Sequence, residues 1–107
     1  MKIALSDEVL AVEDGTYTAN VDTILSYGDD GGVLMKLALE DGRVLITFTT
    51  VKRLGEYPWG DVFRALATDD TDDLIGETVE ITVENTVSET SGNSFCNIKR
   101  VKLLPRD

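Results

Sequence analysis

Apolar and polar residues alternate with a period of two in three consecutive segments of the chain, and this alternation predicts three antiparallel β-strands. The first strand begins after the turn signal Asp14-Gly15 and changes parity at Asp22-Thr23, which predicts a β-bulge. The second and third strands are separated by Asp41-Gly42, a dipeptide typical of hairpin turns. Residues 1–14 have weak periodicity and are expected to form a lead-in arm or strand.

The period then changes from that of a strand to that of a helix. Trp59, Val62, Phe63 and Leu66 follow an i, i+3, i+4, i+7 spacing, which predicts one short helix between about Tyr57 and Thr68. A clean alternation over residues 78–84 predicts a fourth strand, and residues 95–104 predict a fifth, with a parity break near Lys99-Arg100. A polar turn over residues 88–93 separates these two strands.

The order strand-strand-strand-helix-strand-strand indicates an all-β fold with one helix, a single domain over residues 1–107. It is the element order of the five-stranded Greek-key OB-type barrel; a split sandwich and an SH3-like barrel are the alternatives. The residues expected in the core are Val44, Ile46, Phe48, Phe63, Leu66, Val79, Ile81 and Val83. The outward residues of the second and third strands are expected to be Leu34, Ala38, Leu45 and Thr47, which include no aromatic side chain.

The charge of the chain is strongly negative and unevenly distributed. The formal net charge is −10 over 107 residues, but residues 33–60 and 92–107 are net basic, whereas residues 61–91 carry nine acidic residues and one basic residue. Overall acidity repels phosphate at long range and still allows a local basic groove. No segment reaches membrane-spanning length, and Ser6 to Glu8 interrupt the apolar start, so we expect no signal peptide and a cytoplasmic location.

The residues expected for catalysis or metal binding are missing. The chain has no histidine, and its one cysteine, Cys96, lies in a predicted strand and is expected to be a buried, inert thiol. The run Asp69 to Asp73 lacks the glycine and distant glutamate of a calcium loop, and the run Gly28 to Gly32 has no phosphate-binding lysine. We therefore predict a non-enzymatic binding protein with no metal site and no cofactor.

Three segments resemble a known family. They are Gly15 to Val21, Leu74 to Val83, which is similar to an "L-x-G-K-x-V-x-V-x-V" strand entry, and Phe95 to Val101, which is similar to a closing strand with a "Y-x-N-I" pattern. These patterns resemble small phage-encoded OB-fold proteins, similar to single-stranded-DNA-binding proteins, of recombination gene cassettes. The resemblance implies an OB fold, single-stranded nucleic acid as the partner, and the cytoplasm of a bacterial host as the location.

Basic and aromatic residues suited to binding single-stranded nucleic acid lie near the second, third and last predicted β-strands. Such binders combine a basic groove with aromatic faces on which bases stack, and OB proteins use the face of strands two and three. The candidate nucleic-acid-binding residues are Lys36, Arg43, Lys52, Arg53, Tyr27, Tyr57, Trp59, Lys99, Arg100 and Lys102.

The acidic residues suggest an alternative function. A row of carboxylates can imitate a phosphate backbone, so the chain is alternatively an acidic inhibitor or DNA mimic that binds a basic protein, such as a host nuclease or defence complex. The residues of this acidic partner face are Asp69, Asp70, Asp72, Asp73, Glu77, Glu80, Glu84 and Glu89. The residue pattern does not select a nucleotide sequence preference, and it is compatible with oligomerisation of the protein.

Overall fold

The alternating segments form the strands of one sheet. The computed structural model describes residues 8–105. The elements, numbered in chain order, are β1 (Glu8–Val9), β2 (Gly15–Tyr27), β3 (Gly32–Leu39), β4 (Val44–Thr50), α1 (Val51–Leu54), α2 (Trp59–Leu66), a 3-10 turn (Thr71–Asp73), β5 (Thr78–Val87) and β6 (Ser94–Leu103). The prediction of a strand-rich chain with little helix is confirmed.

The long strand β2 joins two halves of the sheet. Its first half pairs with β5, from Gly15 to Asn20, and its second half pairs with β3, as far as Tyr27. The pairing with β3 shifts between Val21 and Thr23, which confirms the predicted bulge. Because a bulge bends the strand and increases its twist, β2 can turn from one partner to the other.

The sheet is open among the described residues. Its neighbour order is β1-β4-β3-β2-β5-β6. A closed barrel would need β4 to pair with β6, and no such pairing occurs over residues 8–105. β1 instead pairs with the start of β4, in parallel, at Val44 and Leu45. The element order that favours an OB barrel is present, but closure is not.

Helix α2 lies within the predicted range. Trp59, Val62 and Phe63 are buried, and the helix packs against β6. It ends where Ala67 adopts a left-handed conformation with a φ of 55°. The backbone N–H of Thr68 then donates to the carbonyl of Phe63, and this bond satisfies one of the last carbonyls of the helix.

The inward face of β4 is opposite to the predicted one. Leu45, expected outside, is buried, whereas Val44 and Ile46 are half-buried and Phe48 is 57% exposed. The cause is the register with β3, which places Leu45 opposite the buried Leu37. The neighbouring positions of β4 therefore point to the outer face.

The rest of the core agrees more closely with the prediction. Val79, Ile81, Val83 and Phe63 are buried as expected, and Leu66 is half-buried against the core. The remaining outward predictions, Leu34, Ala38 and Thr47, are all half-buried. Thr47 lies opposite the buried Met35, and it therefore belongs to the inner face and not to the outer one.

The carboxylate of Asp14 ties the segment before β2 to β5. Its Oδ1 accepts hydrogen bonds from the backbone N of Asn85, at 2.8 Å, and from Asn85 Nδ2, at 2.7 Å. Asn85 Nδ2 also donates to the carbonyl of Val12 at 2.8 Å. The bonds to the backbone and then to the side chain of Asn85 lower the pKa of Asp14.

We expect Asp14 to titrate below the ordinary pKa of an aspartate. Because the unfolded state has the higher pKa, this group stabilises the fold above that ordinary value, and the contribution is lost as the pH falls through the lower folded-state pKa. An NMR titration of the side-chain carboxyl carbon measures the midpoint. Asn85→Ala should move the midpoint back towards the ordinary value, and an unshifted midpoint in the unmodified protein would contradict this assignment.

Candidate functional site

A groove separates the facing edges of β4 and β6. Its volume is about 510 Å³, and the segment between α1 and α2 closes one end. We call it the β4–β6 groove, and its lining residues are Thr47, Phe48, Thr49, Arg53, Glu56, Tyr57, Pro58, Trp59, Cys96, Asn97, Ile98 and Lys99. A smaller hollow of about 240 Å³ shares Phe48 and Ile98 with the groove and includes Leu10. The groove brings together four of the predicted nucleic-acid residues, Arg53, Tyr57, Trp59 and Lys99.

Two exposed aromatic side chains lie beside this groove on the outer face of the sheet. The rings of Tyr27 and Phe48 meet edge to face, with centroids 5.8 Å apart, and they are 46% and 57% exposed. Tyr27 lies opposite Gly32 in β3, where a Cβ atom would be 2.8 Å from the Tyr27 ring. Any other residue at position 32 would therefore clash with the Tyr27 ring in its present position. We call Tyr27 and Phe48 the aromatic pair.

Sequence reasoning missed the contribution of Phe48 because it assigned the wrong parity to β4. The statement that the outer face lacks an aromatic residue was therefore wrong. No pattern within β4 identifies Phe48 as an outward residue; its register with β3 does, because Phe48 lies opposite Leu34, on the face that alternates with the buried Val33 and Met35.

Three of the basic residues are already paired with carboxylates. Lys36 Nζ lies 2.8 Å from Glu8 Oε2, and Arg64 pairs with Asp61. Arg43 contacts Asp41 at 2.7 Å and Glu13 at 3.2 Å. Hydrogen bonds to Asp41 and then to Glu13 raise the pKa of Arg43. The pKa of Asp41 is lowered, chiefly by the hydrogen bond from the Arg43 side chain. The pKa of Glu13 is also lowered, first by a backbone hydrogen bond and then by the hydrogen bond from Arg43.

Arg43 also lies apart from the groove. It precedes β4, whereas Arg53 follows the opposite end of that strand. Its guanidinium lies 6.0 Å from the centre of the Tyr17 ring, and Tyr17 does not line the groove. The sequence-predicted basic cluster of the second and third strands is therefore divided in space.

Five other basic residues form no ion pair within the described range: Lys52, Arg53, Lys99, Arg100 and Lys102. All five are exposed. Arg53 and Lys99 line the groove, and Lys52 neighbours Arg53 in α1. Arg100 and Lys102 lie opposite Thr82 and Glu80 of β5. The register between β5 and β6 shifts next to Arg100, so that Lys99 is left without a partner residue and forms a β-bulge. This bulge confirms the predicted parity break.

The two predicted aromatic residues near α2 differ in exposure. Tyr57 is exposed, whereas Trp59 is buried, at 6% exposure, and contributes to the core as well as to the groove. Cys96 is half-buried, with its sulfur 4.0 Å from the carbonyl oxygen of Val12. Trp59 therefore supplies an indicator for events in the groove more readily than a stacking surface.

The predicted acidic residues do not all reach the surface. Asp69, Asp70, Asp72 and Asp73 are exposed around the 3-10 turn, where Asp70 Oδ1 accepts from the backbone N of Asp72 and Thr68 donates to Asp73. Glu84 and Glu89 are exposed, and Glu80 is half-buried opposite Lys102. Glu77 is only 5% exposed, so it does not contribute to an acidic surface.

Comparisons with known proteins do not assign a family. No protein-family model matches the sequence, and a search of curated proteins finds no significant match. Within residues 8–105, no cluster of histidine, cysteine, aspartate or glutamate side chains is arranged to hold a metal ion. The helices of the same range are too short or too polar to cross a membrane.

Proposed function

We propose that the protein is a non-enzymatic module that binds single-stranded nucleic acid along the aromatic pair and the β4–β6 groove. The observation that carries this proposal is the exposed aromatic pair, Tyr27 and Phe48, beside a groove with two basic side chains that have no acidic partner in the described range. Single-strand binders need these two features together, aromatic faces for the bases and cations for the phosphates.

Phe48 connects the two parts of the proposed site. Its side chain pairs with Tyr27 on the outer face, and it also lines the groove. A strand that stacks a base on the aromatic pair can therefore continue over the edge of β4 towards Tyr57. Its phosphates would then lie near Arg53 and Lys99.

The net charge of the chain does not oppose this path at short range. The groove contains two basic residues and one acidic residue, Glu56, although the whole chain carries −10. Repulsion from distant carboxylates is screened beyond about 8 Å at physiological salt. Contacts inside the groove act over a shorter distance than this. Because each phosphate contact releases counterions, we expect binding to weaken as the salt concentration rises.

The element order supports an OB-type interpretation of the same surface. If β2, β3 and β4 are the first three strands of an OB barrel opened between β4 and β6, the aromatic pair lies on the face that OB proteins use for oligonucleotides. The resemblance to phage-encoded single-stranded-DNA-binding proteins of recombination cassettes, and with it a bacterial host cytoplasm, belongs to this proposal.

A titration with a short single-stranded oligonucleotide tests the proposal. We expect the fluorescence of Trp59 to change on binding, because Trp59 borders the groove. Phe48→Ala should weaken binding by about 1–3 kcal/mol, the contribution of one stacked base. Phe95→Ala is the matched control, since Phe95 is also about half exposed but does not line the groove. No binding at low salt, or equal losses in both variants, would contradict the proposed site.

An acidic protein-binding surface is the second candidate. The observation in its favour is that Asp69, Asp70, Asp72 and Asp73 have no basic partner within residues 8–105. An inhibitor or DNA mimic would use these carboxylates, with Glu80 and Glu84, against a basic protein such as a nuclease. Changing Glu80 and Glu84 to lysine would then lower the affinity for that basic protein and leave the affinity for an oligonucleotide unchanged.

A further inference from the structure

Glu56 is the one carboxylate among the described residues that line the β4–β6 groove. Its backbone is held between the two helices: its N–H donates to the carbonyl of Arg53 at 3.1 Å, and its carbonyl accepts from the N–H of Gly60 at 2.8 Å. Arg53 and Lys99 line the same groove, yet neither forms an ion pair with Glu56. Glu56 is exposed and lines the groove, so its carboxylate is accessible as an acceptor to a ligand there.

The chemistry of a carboxylate restricts its partner in a nucleic acid. An ionised carboxylate accepts hydrogen bonds and donates none, and it repels phosphate. The exocyclic amino group of cytosine is a donor, and Glu and Asp accept from it; thymine has a carbonyl acceptor at the same position. Thymine offers a single donor, N3–H, which lies between two carbonyl oxygens that repel a carboxylate, whereas the amino group of cytosine carries two N–H bonds at the edge of the ring.

We infer that Glu56 is a specificity-determining residue that favours a base with an exocyclic amino group, cytosine over thymine, at the groove. This inference rests on the proposed function, since it assumes that a single strand occupies the groove. In this arrangement Arg53 and Lys99 hold phosphates, the aromatic pair stacks bases, and Glu56 reads one base edge. Cytosine and thymine are both pyrimidines, so their size and stacking are similar and the base edge is the main difference.

The test compares oligo-dC and oligo-dT of equal length by Trp59 fluorescence at low salt. We expect the unmodified protein to bind oligo-dC roughly tenfold or more tightly than oligo-dT. Glu56→Gln should reduce the ratio to near one, because a glutamine amide can donate to thymine as well as accept from cytosine. Glu40→Gln is the control, since Glu40 is an exposed carboxylate outside the groove, and it should leave the ratio unchanged.

The outcomes separate this inference from the function on which it rests. Equal affinity for the two oligonucleotides in the unmodified protein, or a preference that survives Glu56→Gln, overturns the inference and leaves single-strand binding intact. Failure of both oligonucleotides to bind overturns the proposed function together with the inference. Circular dichroism of each variant confirms that the comparison is made between folded proteins.

Discussion

Replacing Phe63 with alanine is expected to lower the free energy of unfolding by about 3–5 kcal/mol, whereas the same replacement at Phe48 is expected to lower it by less than about 1 kcal/mol. Phe63 is a residue of α2 that is 9% exposed and packs in the hydrophobic core, so its truncation leaves a cavity. Phe48 is largely exposed, so its truncation leaves no internal cavity and removes little buried apolar surface. Urea unfolding of both variants measures the difference.

This pair tests the inward face of β4, because the sequence predicts that both phenylalanines are buried, Phe48 from strand alternation and Phe63 from helical spacing. Ile81→Ala provides the control from β5, where Ile81 is fully buried, and should cost about 2–5 kcal/mol. Similar losses at Phe48 and Phe63 would mean that Phe48 lies in the core, and the aromatic pair would then be lost as a binding surface.

Changing Arg53 and Lys99 together to glutamate is expected to weaken oligonucleotide binding by roughly 100-fold at low salt. Each reversal removes a phosphate contact and adds a repulsive one, at a cost of about 1–1.5 kcal/mol each. The slope of log affinity against log salt should fall by about two, one for each lost contact. Fluorescence titrations over a series of salt concentrations measure both quantities.

The matched control is the double change of Lys36 and Arg64 to glutamate. It alters the net charge of the protein by the same amount, but both residues already pair with carboxylates and neither lines the groove. Both pairs are at least partly exposed and are worth about 0–1 kcal/mol each, so the control should fold and keep most of its affinity. Equal losses in the two double variants would indicate a general effect of charge and would reject the groove as the site.

Several elements were predictable because their signals are local. In β5, Val79, Ile81 and Val83 alternate with threonine and glutamate, so one face alone can be buried, and these residues are buried. The spacing of Trp59, Val62 and Phe63 likewise permits only one apolar helix face. The bulge in β2 also follows from a local change of parity.

The start of β4 shows why other features were not predictable. Val44, Leu45 and Ile46 are all apolar, so either parity buries an apolar side chain and the pattern alone does not choose. The register with β3 makes the choice, and it turns Phe48 outward. Because one step of register exchanges the two faces of a strand, this error left Phe48, the partner of Tyr27 in the aromatic pair, out of the predicted site.

Local patterns and composition specify the five main strands, helix α2, the turns between them and the acidic character of the chain, because each depends on neighbouring residues or on composition. Which charges remain available to a ligand, and where a ligand can lie, depends on how the strands pack in three dimensions. Arg43 meets Glu13 across thirty positions of the chain, and Lys36 meets Glu8 across the sheet. The β4–β6 groove likewise exists only because two distant strands face each other without pairing. Contacts between residues far apart in the chain follow from strand register and packing, which no local pattern encodes.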